Sequence, residues 1–98
     1  MLNLIRTAQD GSLFMLDETV MRKIGFHPLY KNSTTFARGD VRIAAGFNKT
    51  RTHTIANVLV VVRGKQVSNT RLEFFNRDGN VKSEINESVF NAVRQYLR

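Results

Sequence analysis

Five consecutive apolar residues, Val58-Leu59-Val60-Val61-Val62, stand in the middle of this chain and narrow its fold more than any other stretch. Four of the five are β-branched, which stiffens χ1, weakens a helix and suits a pleated strand. The run is far shorter than the roughly 20 residues that a membrane-crossing helix needs. It reads as a central strand covered on both faces, running over 54–63.

The flanking segments supply partners for that strand. From 35 to 47 the odd positions Ala37, Val41, Ile43, Ala45 and Phe47 are apolar, while Arg38, Asp40 and Arg42 fall on even ones. Alternation with period two predicts a strand with one buried and one wet face, with Arg38 and Arg42 together on the wet one. Residues 48–53 form a polar loop, and Gly64-Lys65-Gln66 turns the chain into a third strand over 70–76. There Leu72 and Phe74 face one way and Arg71 and Glu73 the other. The chain opens with a hairpin around Asp10-Gly11, a pair that tolerates positive φ. Asp17 then caps a short helix carrying Val20, Met21 and Ile24, with Gly25 just past its end and Pro28 preventing its continuation. At the other end Ile85, Val89, Ala92, Val93 and Tyr96 recur at helical spacing, with Glu84 and Glu87 expected in the first turn and Arg94 and Arg98 near the end.

The expected fold is α+β, a small antiparallel sheet in the order β-β-α-β-β-β-α with the C-terminal helix packed on one face. Ninety-eight residues close one modest core, so a single domain over 1–98 is expected. The chain has no cysteine, which excludes disulfides, thiolate metal sites and a cysteine nucleophile. No basic region followed by an apolar stretch opens the sequence, so no secretion signal and a cytoplasmic location are expected.

Fifteen Lys and Arg against eight Asp and Glu leave a formal charge of +7. The excess is local. Positions 38–71 carry Arg38, Arg42, Lys49, Arg51, Arg63, Lys65 and Arg71 against Asp40 alone, whereas the segments on either side come close to balance. Ten of the cations are arginine, whose guanidinium grips phosphate bidentately and stacks on bases. Those seven cations, with His53 and with Phe36 as an aromatic beside Arg38, form the candidate nucleic-acid interface, its affinity supplied by counterion release. Arg42 and Arg63 are expected near opposite ends of neighbouring strands. Phe75 on the polar face of its strand, and Tyr30 before Lys31, are further candidates for stacking on unpaired bases.

Neither His27 nor His53 has companions at metal-ligand spacing, so no metal is expected. The six glycines fall singly, at turns or strand positions, so no phosphate loop or cofactor is expected. Catalysis is not expected. The alternative is a metal-free nuclease using His53 beside Lys49 and Arg51. Over 41–97 the layout, with a hairpin ahead of a meandering sheet and a helix after it, resembles the coat proteins of small single-stranded RNA phages. That resemblance implies RNA on the arginine-bearing strands and a homodimer. The chain departs from that layout in its length, in a helix in its first half and in having one C-terminal helix. The expected function is therefore nucleic-acid binding, RNA ahead of DNA. The alternatives are a viral coat or assembly subunit that binds RNA, and a small inhibitor or adaptor that docks on an acidic protein partner.

Overall fold

The computed structural model describes residues 2–9 and 13–97. Strands β1 (Ile5–Thr7) and β2 (Phe14–Leu16) pair antiparallel, Ile5 opposite Leu16 and Thr7 opposite Phe14. The Asp10-Gly11 turn and Arg98 lie outside the described residues. Asp17 caps α1 (Glu18–Lys23), its carboxylate accepting from the Val20 N–H at 3.3 Å. Gly25 follows the helix at φ +93°, a left-handed conformation that a Cβ would strain.

A five-stranded antiparallel meander follows: β3 (His27–Pro28), β4 (Thr35–Arg38), β5 (Val41–Lys49), β6 (His53–Val62) and β7 (Lys65–Phe75), neighbours in sequence being neighbours in the sheet. Helix α2 (Val81–Val93) and a 3-10 turn, Arg94–Tyr96, close the fold. The α+β class and the C-terminal helix on one sheet face are as expected. The strand count is not, because five strands follow α1 instead of three.

The short strand β3, which pairs with β4, adds one strand, and a tight turn adds the other. Segment 35–47 is a hairpin, not one strand. Gly39 at φ +58° and Asp40 turn the chain so that Arg38 pairs with Val41. Glycine at the first central position permits the positive φ that a two-residue hairpin needs there. A two-residue turn also flips parity, so the helix-side positions are even in β4 and odd in β5, although Ala37 on the other side of β4 is buried as well, at 3% exposure. The next turn is Arg63-Gly64, at φ +52° and +79°, which begins β7 at Lys65, five residues before the expected start. Two positive φ values match the twist of right-handed strands, and arginine is an unusual residue for the first of them.

The core lies on one face of this sheet. Ile43 and Ala45 of β5 and Ala56, Val58 and Val60 of β6 are buried there against Ile85, Val89 and Val93 of α2 and against Leu4, Ile5 and Leu16 of the N-terminal hairpin. Buried Asn86 of α2 ties that hairpin down. It accepts from the Leu4 N–H at 2.6 Å and donates to the Leu2 carbonyl at 2.9 Å. A buried polar side chain with both ends bonded avoids the desolvation penalty of an unmet group. Glu84 lies in the first turn of α2, where it complements the helix dipole, whereas Glu87 falls beyond it.

Strand β6 is interior to the sheet, between β5 and β7, but covered on one face only. Ile55, Leu59 and Val61 alternate with its buried residues and are half-exposed on the other side. The expectation of cover on both faces therefore fails: Val58-Leu59-Val60-Val61-Val62 is uniformly apolar without being uniformly buried.

Candidate nucleic-acid interface

The strand register fixes what the second sheet face presents. Cross-strand partners share a face, so one row across the sheet reads His27, Ala37, Arg42, Val61 and Gln66, and the next reads Thr35, Ala44, Leu59 and Asn69. Further along come Gly46, Asn57 and Arg71, then Asn48, Ile55 and Glu73, and finally His53 with Phe75. Among the described residues no helix or strand lies over these rows, since α2 and the β1–β2 hairpin both pack on the opposite side. The open face is a shallow apolar strip (Ala44, Leu59, Val61, Ile55) bordered by arginine, asparagine and aromatic side chains.

Two of the seven expected cations stand on this face. Arg42 is exposed in the middle of the meander and Arg71 is exposed on the edge strand β7. From the strand spacing of about 4.8 Å and the rise of about 3.3 Å per residue, they lie roughly 16 Å apart. Arg71 reaches along its own strand to Glu73, Nη1 to Oε1 being 3.3 Å, with both side chains in solvent.

The remaining cations divide between the two ends of the sheet. Arg38 and Arg42 do not share a face: Arg38 registers with Val41 on the helix side and its side chain crosses Gly25, where an added Cβ would stand 2.8 Å from Arg38 Nε. The parity flip at Gly39-Asp40 is the cause. Phe36 is corrected by the same flip. It registers with Ile43 in the core and is 3% exposed, so it has no ring face for a nucleobase. Arg63 sits at the hairpin tip, its Nε 3.5 Å from Asp40 Oδ2, in a pair that is largely in solvent. Lys65 begins β7 opposite Val62, hence on the helix side of the sheet. Arg42, opposite Val61, stands near this same end and not at the end opposite Arg63.

The far end of the sheet holds Lys49, Arg51 and His53. Lys49 registers with Thr54 and Arg51 is exposed in the β5–β6 loop. Asn76 clamps that loop, donating to the Thr50 carbonyl at 2.7 Å and accepting from Thr54 Oγ1 at 2.6 Å, while its backbone N–H reaches the Thr52 carbonyl at 2.8 Å. The expected continuous array is thus an open-face pair with a cationic group at either end.

At that far end the aromatic residues converge. His53 and Phe75 are cross-strand partners with ring centroids 4.7 Å apart and planes inclined at 40°, and the Arg77 guanidinium lies 5.0 Å over the Phe75 ring. Phe75 is 47% exposed, as its position on the polar face of its strand implied, and the cation over its ring has the geometry of a cation–π contact. Tyr30, at 68% exposure, stands apart in the β3–β4 loop. Arg77 escaped the charge-based selection because it follows the basic segment; its adjacency to an exposed phenylalanine two residues earlier was the available signal.

Among the described residues no group of three His, Asp or Glu side chains is placed to hold a metal ion, and no helix is long and apolar enough to cross a membrane. His53 Nδ1 is engaged by Thr52 Oγ1 at 2.7 Å, with none of the described carboxylates bonded to it. Compared with protein-family models, curated proteins and solved structures, the chain finds no match. What the fold and site define is a class: an α+β domain with one open sheet face.

Proposed function

We propose that this protein binds single-stranded nucleic acid, RNA ahead of DNA, on the open face of its five-stranded sheet, and that it acts by binding and not by catalysis. The observation that carries the proposal is that Arg42, Arg71 and the exposed Phe75 share a sheet face that none of the described elements covers. Duplex backbones need cations alone, whereas unpaired strands gain from cations and a ring together. Asn57, Asn69 and Thr35 on the same face offer side-chain groups to a ribose 2′-hydroxyl, the group that separates RNA from DNA. The end groups, Arg63 with Lys65 and Lys49 with Arg51, extend the positive field beyond the face and steer a strand onto it.

The test is a titration of the whole chain with a labelled single-stranded oligonucleotide at several salt concentrations. Each phosphate contact on a single strand contributes a slope of about 0.7 in log K against log salt. Replacing Arg42 and Arg71 by glutamine should weaken binding to every sequence and flatten the slope by about 1.4. An unchanged slope removes both residues from the interface.

A second reading, an assembly subunit working as a homodimer, rests on one observation. The two sheet edges are unlike: β3 has two residues and contains Pro28, while β7 is an eleven-residue edge strand with a bulge opposite Val60/Val61 and Val67 52% exposed. A long unpaired edge is a template for another strand. Antiparallel pairing of β7 with a second copy would carry the open face across a two-fold axis. Light scattering on nucleic-acid-free protein decides it, and a monomer at every concentration up to the tens of micromolar removes this reading.

A further inference from the structure

Beside the His53–Phe75 pair the open face is hollowed. An open, shallow depression of about 340 Å³ is lined by His53, Glu73 and Phe75 and bordered by Phe74, whose ring packs against the core on the other side. Its wall is the two rings, 4.7 Å between centroids, with the Arg77 guanidinium over Phe75. Its polar element is the Glu73 carboxylate, two residues before Phe75 on the same strand and so on the same face. Arg71 holds that carboxylate at 3.3 Å. A carboxylate has about four lone-pair sites, and one bond to Arg71 leaves acceptor capacity on a residue that lines the depression. An acid on a face proposed to bind a polyanion is out of place unless it serves recognition.

We propose that this hollow is a base pocket selective for unpaired guanine, a specificity that rests on the nucleic-acid reading above. Every base has a π-face, so the rings alone do not discriminate. The carboxylate does, because it only accepts hydrogen bonds. The Watson–Crick edge of guanine presents two adjacent donors, N1–H and the 2-amino group, which one carboxylate takes together. Uracil and thymine present a single N–H between two carbonyl oxygens, and both oxygens repel the acid. Adenine and cytosine present one amino group next to a ring nitrogen acceptor, which leaves one carboxylate oxygen facing a lone pair. Arg71 and Arg77 flank the pocket and supply donors for guanine O6 or for the phosphates on either side. Arg71 therefore has two tasks, aiming Glu73 and neutralising the strand.

The experiment uses the full chain and three short labelled uridine oligonucleotides of odd length whose central residue is uridine, guanosine or inosine, titrated by fluorescence anisotropy at low salt. Guanosine should bind about tenfold more tightly than uridine, the discrimination of one bidentate contact. Inosine, which lacks the 2-amino group, should lose most of that gain. Glu73→Gln should abolish the guanosine preference while the all-uridine oligonucleotide binds at least as well as before, since a repelling charge has gone. Phe75→Leu should weaken all three and the guanosine oligonucleotide most. Equal affinity of the native protein for the three oligonucleotides, or a guanosine preference that survives Glu73→Gln, overturns the pocket and leaves nucleic-acid binding standing. Failure of all three to bind at low salt overturns the nucleic-acid reading and the pocket with it.

Discussion

The two faces of the five-stranded sheet come from the same strands, residue by residue, and differ in everything but backbone. On the helix-covered face Ile43, Ala56, Val58 and Val60 are fully buried and join one cluster with α2 and the N-terminal hairpin. On the open face their immediate neighbours Arg42, Asn57 and Leu59 stand wholly or partly in solvent. In β5 and β6 stability is therefore concentrated on one parity and surface chemistry on the other. A face that keeps Ile55, Leu59 and Val61 among arginines without a layer to cover them gains little for folding from those residues. Apolar strips with a polar and charged border mark surfaces that meet other molecules.

The sharpest way to break the comparison is to truncate adjacent residues of β5. Ile43→Ala removes a fully buried side chain and leaves a void that the rigid sheet cannot collapse, at a cost of about 2–5 kcal/mol. For a domain of this size that lowers the melting temperature by roughly 8 °C at the least. Arg42→Ala, one residue away on the exposed side, should change stability by no more than about 0.5 kcal/mol. Thermal melts followed by circular dichroism measure both. Equal losses would mean that the open face is a packed surface and not an available one.

Asn86 gives the next largest effect, on the covered side. Its side chain is the polar link between α2 and the residues leading into β1. Asn86→Ala leaves the buried Leu4 N–H without its acceptor, which costs about 1–3 kcal/mol. Because that bond spans 82 positions of sequence, hydrogen exchange should report the loss first in β1, ahead of β5 and β6. Uniform loosening of the whole molecule would show instead that Asn86 supports α2 alone.

Much of the covered face is legible in the sequence. The spacing of Ile85, Val89 and Val93 places α2, Asp17 and Gly25 bound α1, and the alternation through Val41, Ile43 and Ala45 sets the buried side of β5. What escaped was turn chemistry. Gly39-Asp40 hides inside an alternating segment because a two-residue turn leaves an apolar–polar pattern on both sides while exchanging odd for even. Phe36 was thereby placed on the wrong face, and Arg38 with it. Arg63-Gly64 is hidden for the opposite reason: the left-handed position is filled by arginine, which carries no turn signal. Asn86 was unreadable because an amide beside an apolar stripe gives no sign of a partner more than eighty positions away. On the open face the sequence shows which cations cluster along the chain but not which share a surface, since register decides that.

That arginine provides a smaller effect than Asn86 and a fine test of where the open face ends. An L-residue other than glycine in the left-handed region costs about 1–2 kcal/mol, less for asparagine. Arg63, at φ +52°, sits where asparagine is strongly preferred in two-residue hairpins. Arg63→Asn should relieve part of that strain. It also loses the ion pair with Asp40, which is worth about 0–1 kcal/mol between side chains 81% and 71% exposed. The net expectation is a gain of about 0.5–1 kcal/mol in denaturant unfolding, with the hairpin kept because the pairing of Val62 with Lys65 that closes it is independent of the Arg63 side chain. The informative part is what binding does at the same time. If the salt slope for single-stranded nucleic acid falls by about 0.7, the tip contacts a phosphate and the chain keeps a strained cation there for that contact. If stability rises and the slope holds, the interface ends at Arg42, and the αL arginine belongs with the structural face, not the binding one.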